Sequence, residues 1–226
     1  MTSRKAPRRE FLTGLGATVA AVGAASAGVA AQAPAGRFQA ARHTQDNWMD
    51  TLPGTHRMII DGVTANGAGE ALLFANNLFE ANKSGYQIAE RDVAIIVVLR
   101  HFATPFAFTD AIWSKYGPAM SGPIQFTDPK TKQPPNTNLY NAGSYGMTLP
   151  NLGNTIDSLV KRGAHFAVCD MATHFFATAL AGTSGNADAI YKELTANTIP
   201  NSHFVAAGVV GVNRAQERGY TLIYAG

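Results

Sequence analysis

The sequence holds a single cysteine, Cys169, among 226 residues. One thiol excludes a disulfide framework within the chain, a four-cysteine zinc site and a conventional iron–sulfur site. Charge is also sparse: charged residues make up 15% of the chain and hydrophobic ones 46%. That is the composition of a folded domain and not of a disordered charged tail. Catalytic and nucleotide fingerprints are missing as well. There is no Gly-x-Ser-x-Gly elbow, no P-loop and no Gly-x-Gly-x-x-Gly. Asn66-Gly67-Ala68-Gly69 is too short for a phosphate cradle and reads as a turn that opens a helix. No cofactor is expected.

A net charge of +3 first suggests an anionic partner. Its position removes that suggestion. Arg4, Lys5, Arg8 and Arg9 stand against Glu10 in the first 33 residues, and the rest of the chain has 14 basic and 14 acidic residues. No basic stripe is interleaved with aromatics, so nucleic acid is not an expected partner. The leader reads instead as an export signal. A basic start is followed by Phe11-Leu12 and a Gly/Ala/Val run from Gly14 to Ala31. Arg8-Arg9-Glu10-Phe11-Leu12 resembles the twin-arginine motif. The run is only weakly apolar, so cleavage is expected rather than a lasting membrane span. Residues 1–33 are then a signal peptide, and the mature chain is periplasmic or secreted.

Residues 34–55 read as a linker or N-terminal arm, and the compact part begins near His56. Strands are expected at His56–Asp61, Asp92–Leu99, Ala164–Cys169, His203–Ala206 and Tyr220–Tyr224. The continuous β-branched run of the second is that of a parallel strand covered on both faces. Helices are expected over 68–82, 109–116, 155–162, 171–181, 186–196 and 208–218, from helical spacing, caps and stop glycines. Ala71, Leu72, Ala75, Leu78 and Phe79 set the stripe of the first. Asp170 is a cap for the helix after the third strand. The alternation predicts one α/β domain over 56–226: a three-layer α/β/α sandwich, flavodoxin-like, with a mostly parallel five-stranded sheet. Residues 117–150 hold 6 of the 11 prolines and interrupt the pattern. They read as a surface excursion with a short hairpin at Ile124-Gln125-Phe126, and as a lid or oligomer contact near the strand ends.

In such sheets ligands bind beyond the carboxyl ends of the strands. Asp61 and Thr64 follow the first strand, Arg100 and His101 the second, and Cys169, Asp170 and His174 the third. His203 falls at the opposite edge, and His43, His56 and His165 look incidental. Cys169 precedes a helix whose first amides favour an anionic sulfur. Asp170 competes for those amides, and His174 lies one turn further on the same face. Cys169, His101, His174 and Arg100 are the candidate site. A soft metal held by Cys169, His174 and His101 is an alternative, although no metal-motif spacing is present. Phe102, Phe106, Phe108 and Trp113 read as core before ligand wall.

The C-terminal half carries a further signal. Lys161-Arg162-Gly163 leads into Ala164-His165-Phe166-Ala167-Val168-Cys169. Phe204-Val205-Ala206-Ala207-Gly208-Val209 then leads into Arg214-Ala215-Gln216-Glu217-Arg218-Gly219-Tyr220-Thr221-Leu222-Ile223. This resembles the DsrE/DsrF-like family of sulfur-relay proteins over about residues 56–226. The resemblance implies a flavodoxin-like three-layer fold and a homo-oligomer or assembly with a related subunit. It also implies a persulfide on the strand-end cysteine, here Cys169. A small sulfur-containing or other ligand is the corresponding expectation. A non-catalytic periplasmic binding or assembly module, with Cys169 structural, is the alternative.

Overall fold

Five short segments, most of them apolar and rich in β-branched residues, lie side by side in the computed structural model, which describes residues 39–226. They are β1 (His56–Gly62), β2 (Val93–Leu99), β3 (His165–Cys169), β4 (Ser202–Val205) and β5 (Thr221–Ala225). All pairings are parallel, in the order β4-β3-β2-β1-β5. Every residue of β2 is buried, as its unbroken apolar run requires for a central strand covered on both faces. The leader, its cleavage site and residues 34–38 lie outside the described residues. Among the described residues no helix is long and apolar enough to cross a membrane.

The strand order decides where the helices go. From β1 to β4 each step moves one position in the same direction. Right-handed crossovers then put all of their helices on one face, and the return from β4 to β5 puts its helix on the other. The buried side chains follow this rule. On the first face Met58, Ile60, Val97, Leu99, Phe166 and Val168 pack with α2 (Ala65–Tyr86), α3 (Asp110–Ile124), α4 (Ile156–Lys161), α5 (Asp170–Ala181) and α6 (Ala187–Ala196). On the second face Ile59, Ile96, Val98 and Ala167 meet α7 (Gly208–Gln216), a short α1 (Trp48–Thr51), Leu52 and Tyr220.

Capping sets the helix starts. The Thr64 side chain accepts the Gly67 amide at 2.8 Å, so α2 begins at Ala65, before the glycine pair rather than after it. It runs through Gly85 and ends where Gln87 turns left-handed. Thr155 and Asn186 cap α4 and α6 in the same manner.

One segment departs from the sequence expectation, and a second takes one of its two expected forms. α3 does not stop at Tyr116 but continues to Ile124 through Pro118 and Pro123. Proline's fixed φ suits a helix, and the burial of Met120 and Ile124 offsets the missing amide bonds. Gln125 ends this helix left-handed, so there is no hairpin at 124–126. The remainder of 117–150 is anchored in the core of the first face at Phe126, Leu139, Tyr140 and Leu149, while 130–134 stay exposed. Tyr140 is wholly buried, and its hydroxyl donates to the Ala65 carbonyl at 2.8 Å. Its ring lies where a Cβ on Gly69 would stand 2.6 Å away, which is why α2 carries glycine there. Asn138 donates to the carbonyls of Phe106 and Phe108 at 2.9 and 3.0 Å. The second segment is 34–55, read as a linker or an N-terminal arm; its part from Thr44 is a docked arm. Met49 is fully buried, and its carbonyl accepts from Tyr220 at 2.7 Å and from Arg57 at 3.0 Å.

Candidate functional site

A cavity of about 390 Å³ opens at the carboxyl rim of the sheet, beyond β2 and β3. Three chain segments wall it. The exit of β2 brings Arg100, His101 and Phe102. The β3–α5 junction brings Cys169, Met171, Ala172 and Phe175, and the start of α7 brings Ala207, Gly208 and Val209. Arg100, His101 and Cys169 thus share one cavity, as parallel strands ending at the same level dictate. None of residues 117–150 lines it, so that segment is no lid over this site.

Cys169 is 6% exposed and ends β3. It is the N-cap of α5: its Sγ accepts the Ala172 amide at 3.4 Å. The expected cap, Asp170, is drawn away. Its carboxylate accepts from the Tyr191 hydroxyl at 2.7 Å and faces His174 Nε2 at 3.7 Å. The Tyr191 hydroxyl is pushed up to about 12 by that hydrogen bond. The thiol therefore faces the helix amides without a competing carboxylate cap.

His174 is not part of this cavity. It stacks flat on Tyr191, with ring centres 3.9 Å apart, over the α5–α6 surface. Nor do Cys169, His174 and His101 converge on a point. Among the described residues no group of three His, Cys, Asp or Glu side chains is placed to hold a metal ion, so the soft-metal arrangement is not formed.

Arg100 is fixed by a carboxylate on the neighbouring strand. Its Nε and Nη2 donate to the two Asp61 oxygens at 2.7 and 2.9 Å. This bond holds the guanidinium above its ordinary range, against the opposing effect of burial. Nη1 makes no hydrogen bond among the described residues. Gly208, opposite, has no side chain because a Cβ there would lie 2.3 Å from the Arg100 Cβ. The first turn of α7 has no capping side chain, so its free amides stand at the cavity wall. His101 is exposed, packs on Phe102 with ring centres 4.0 Å apart, and adopts φ 54. A left-handed non-glycine residue at a strand exit is a local strain of the kind that clusters at functional sites.

The aromatic group after β2 divides. Phe106, Phe108 and Trp113 are buried in the core, whereas Phe102 faces the cavity. Three large apolar side chains at the mouth were not singled out from the sequence: Met171, Phe175 and Val209 are 68%, 54% and 59% exposed. The helical positions of Met171 and Phe175, four apart on α5, are the only sequence signal for them.

At the opposite end of the sheet, on the face of α7 and α1, lies a second cluster. His165 Nδ1 and His203 Nε2 are 3.0 Å apart, and Trp48 stacks on His203 at 3.9 Å and 2°. No motif or spacing in the sequence links these two histidines. Burial, and for His203 the neighbouring His165 as well, hold them below the ordinary histidine value, His203 at about 4.

No family model matches the chain, and no match is found among curated proteins or solved structures.

Proposed function

We propose that this chain is an exported DsrE-like protein that carries sulfane sulfur on Cys169. The reading rests on one observation: a strand-end thiol caps α5 from the wall of a cavity at the carboxyl rim. A thiolate there would attack the terminal sulfur of a persulfide, R–S–SH. An Sγ–S bond forms, the R–S–S bond breaks, and R–S⁻ leaves to take a proton from solvent or His101. No oxidant is consumed. The amides at the starts of α5 and α7 and the free Nη1 of Arg100 would surround the anionic sulfur. His174 has no role in this arrangement.

The purified protein, exposed to organic persulfides released in situ and desalted, should gain sulfur on Cys169 by intact-mass and peptide spectrometry. Cys169→Ser should gain none and should keep its melting temperature within about 2 °C, since serine also caps helices well. A wild-type protein that takes up no sulfur overturns the proposal.

A second reading has its own support. The Cys169 sulfur is nearly inaccessible and already engaged as a cap. On this reading the protein is a binding or assembly module and the thiol is structural. Slow labelling of the native thiol, released only by denaturant, would favour it; fast labelling would favour the carrier.

A further inference from the structure

We infer that the sulfur donor of this cavity is an organic persulfide with an apolar body and a single anionic end, not an inorganic sulfur anion. The inference rests on the carrier reading and adds the substrate class. Its first ground is size. The cavity of about 390 Å³ falls within the roughly 300–1,000 Å³ span of small-molecule sites, far larger than sulfide or a short polysulfide needs. The second is the wall. Apart from Arg100, His101 and Cys169, the lining is apolar, with Phe102 inside and Met171, Phe175 and Val209 around the mouth. A hydrated inorganic anion gains nothing from such surfaces, and they stay exposed unless an apolar group covers them.

The third ground is charge. A site for a free polyanion needs several unspent cationic donors. Among the described residues the only strongly basic side chain in the wall is Arg100, which has spent two of its three nitrogens on Asp61. What remains is one guanidinium nitrogen and the uncapped amides of α7, enough for one anionic end. A persulfide anion R–S–S⁻ meets this arrangement, with its terminal sulfur beside Cys169 and its carbon body between Phe102, Phe175 and Val209. The bound R–S–S⁻ takes a proton from solvent to give R–S–SH; the Cys169 thiolate then forms the Sγ–S bond as the R–S–S bond breaks, and the apolar thiolate R–S⁻ leaves and is protonated by solvent.

The test compares two donors on the full mature protein: benzyl persulfide and glutathione persulfide, each released in situ. Each rate of Cys169 persulfide formation is divided by that donor's rate with N-acetylcysteine. The apolar donor should lead by roughly tenfold or more, the effect of burying one aromatic ring. Phe175→Ser, at an exposed position, should lower the benzyl rate several-fold and leave the glutathione rate within twofold. Equal normalised rates, or a lead for glutathione persulfide, overturn the inference and leave the carrier reading standing. Calorimetry of Cys169→Ser with 4-phenylbutanoate separates binding from chemistry. Binding without loading of the wild type by any donor overturns the carrier reading and the persulfide step, and upholds an apolar, singly anionic ligand. Loading without binding or selectivity overturns the apolar class.

Discussion

Acidification should loosen the end of the molecule where the arm docks, through His165 and His203. Their facing nitrogens are 3.0 Å apart, so one ring donates and the other accepts, and the two cannot both be charged. Folding lowers the pKa of both, and that of His203 from 6.5 to about 4. Above about pH 6.5 both folded and unfolded chains hold the rings neutral, and the pair makes no pH-dependent contribution. Between about 6.5 and 4 the unfolded chain binds protons that the folded chain refuses, so stability falls as pH falls. The ceiling for His203 is about 3.4 kcal/mol, at ~1.4 kcal/mol per pH unit. The rings are only half-buried, and solvent screening brings the expected loss to about 1–2 kcal/mol. Urea unfolding at steps from pH 7.5 to 4.5 measures it, with His203→Phe as the reference that keeps a ring against Trp48 and cannot titrate. The wild type should lose about 1–2 kcal/mol more than the variant across that interval. Superimposable pH profiles would refute the reasoning. Carboxylates such as Asp128 and Glu193, held low by hydrogen bonds that outweigh burial for Asp128 and by Lys115 for Glu193, act at the acid end in both proteins and cancel.

Gly208→Ala should destabilise the protein by about 1–3 kcal/mol, because its Cβ must displace the Arg100 Cβ or the start of α7. Urea denaturation reads this, and sulfur loading should change with it because both groups wall the cavity. Tyr140→Phe should cost about 1–2 kcal/mol, since the Ala65 carbonyl loses its buried donor. An unchanged unfolding midpoint would mean that this hydroxyl is dispensable for packing 117–150 onto α2.

The sheet was readable because each strand announces itself locally. The β2 run has no polar residue from Val93 to Leu99, and stop glycines such as Gly163, Gly182 and Gly219 punctuate the helices. The strand ends followed, and with them Arg100, His101 and Cys169. What local rules missed was set by distant chain. Asp170 is a better cap than cysteine by propensity, but Tyr191 and His174 compete for its oxygens. Pro118 looks like a helix stop, yet the burial of Met120 and Ile124 carries α3 past it. The proline-rich stretch looked like surface because its few buried anchors, Asn138 and Tyr140, are ordinary in sequence and exceptional only in place. His165 and His203 meet on a diagonal, because the register of β3 and β4 sets His203 beside Ala167, two residues on from His165, and no spacing rule foretells it.

The position of β5 also constrains how the chain is made. β1 is the first strand to be synthesised, and its register pairs Met58 with Thr221 and Gly62 with Ala225. One side of that strand must therefore wait, unpaired, through the synthesis of nearly everything else. The other three strands and all the helices of the first face can assemble in order as they leave the ribosome, since each step adds a neighbour at the growing edge. The sheet closes only when the segment around Tyr224 has emerged. Until then the amides and carbonyls along that edge of β1 stay open to pairing with any other extended chain.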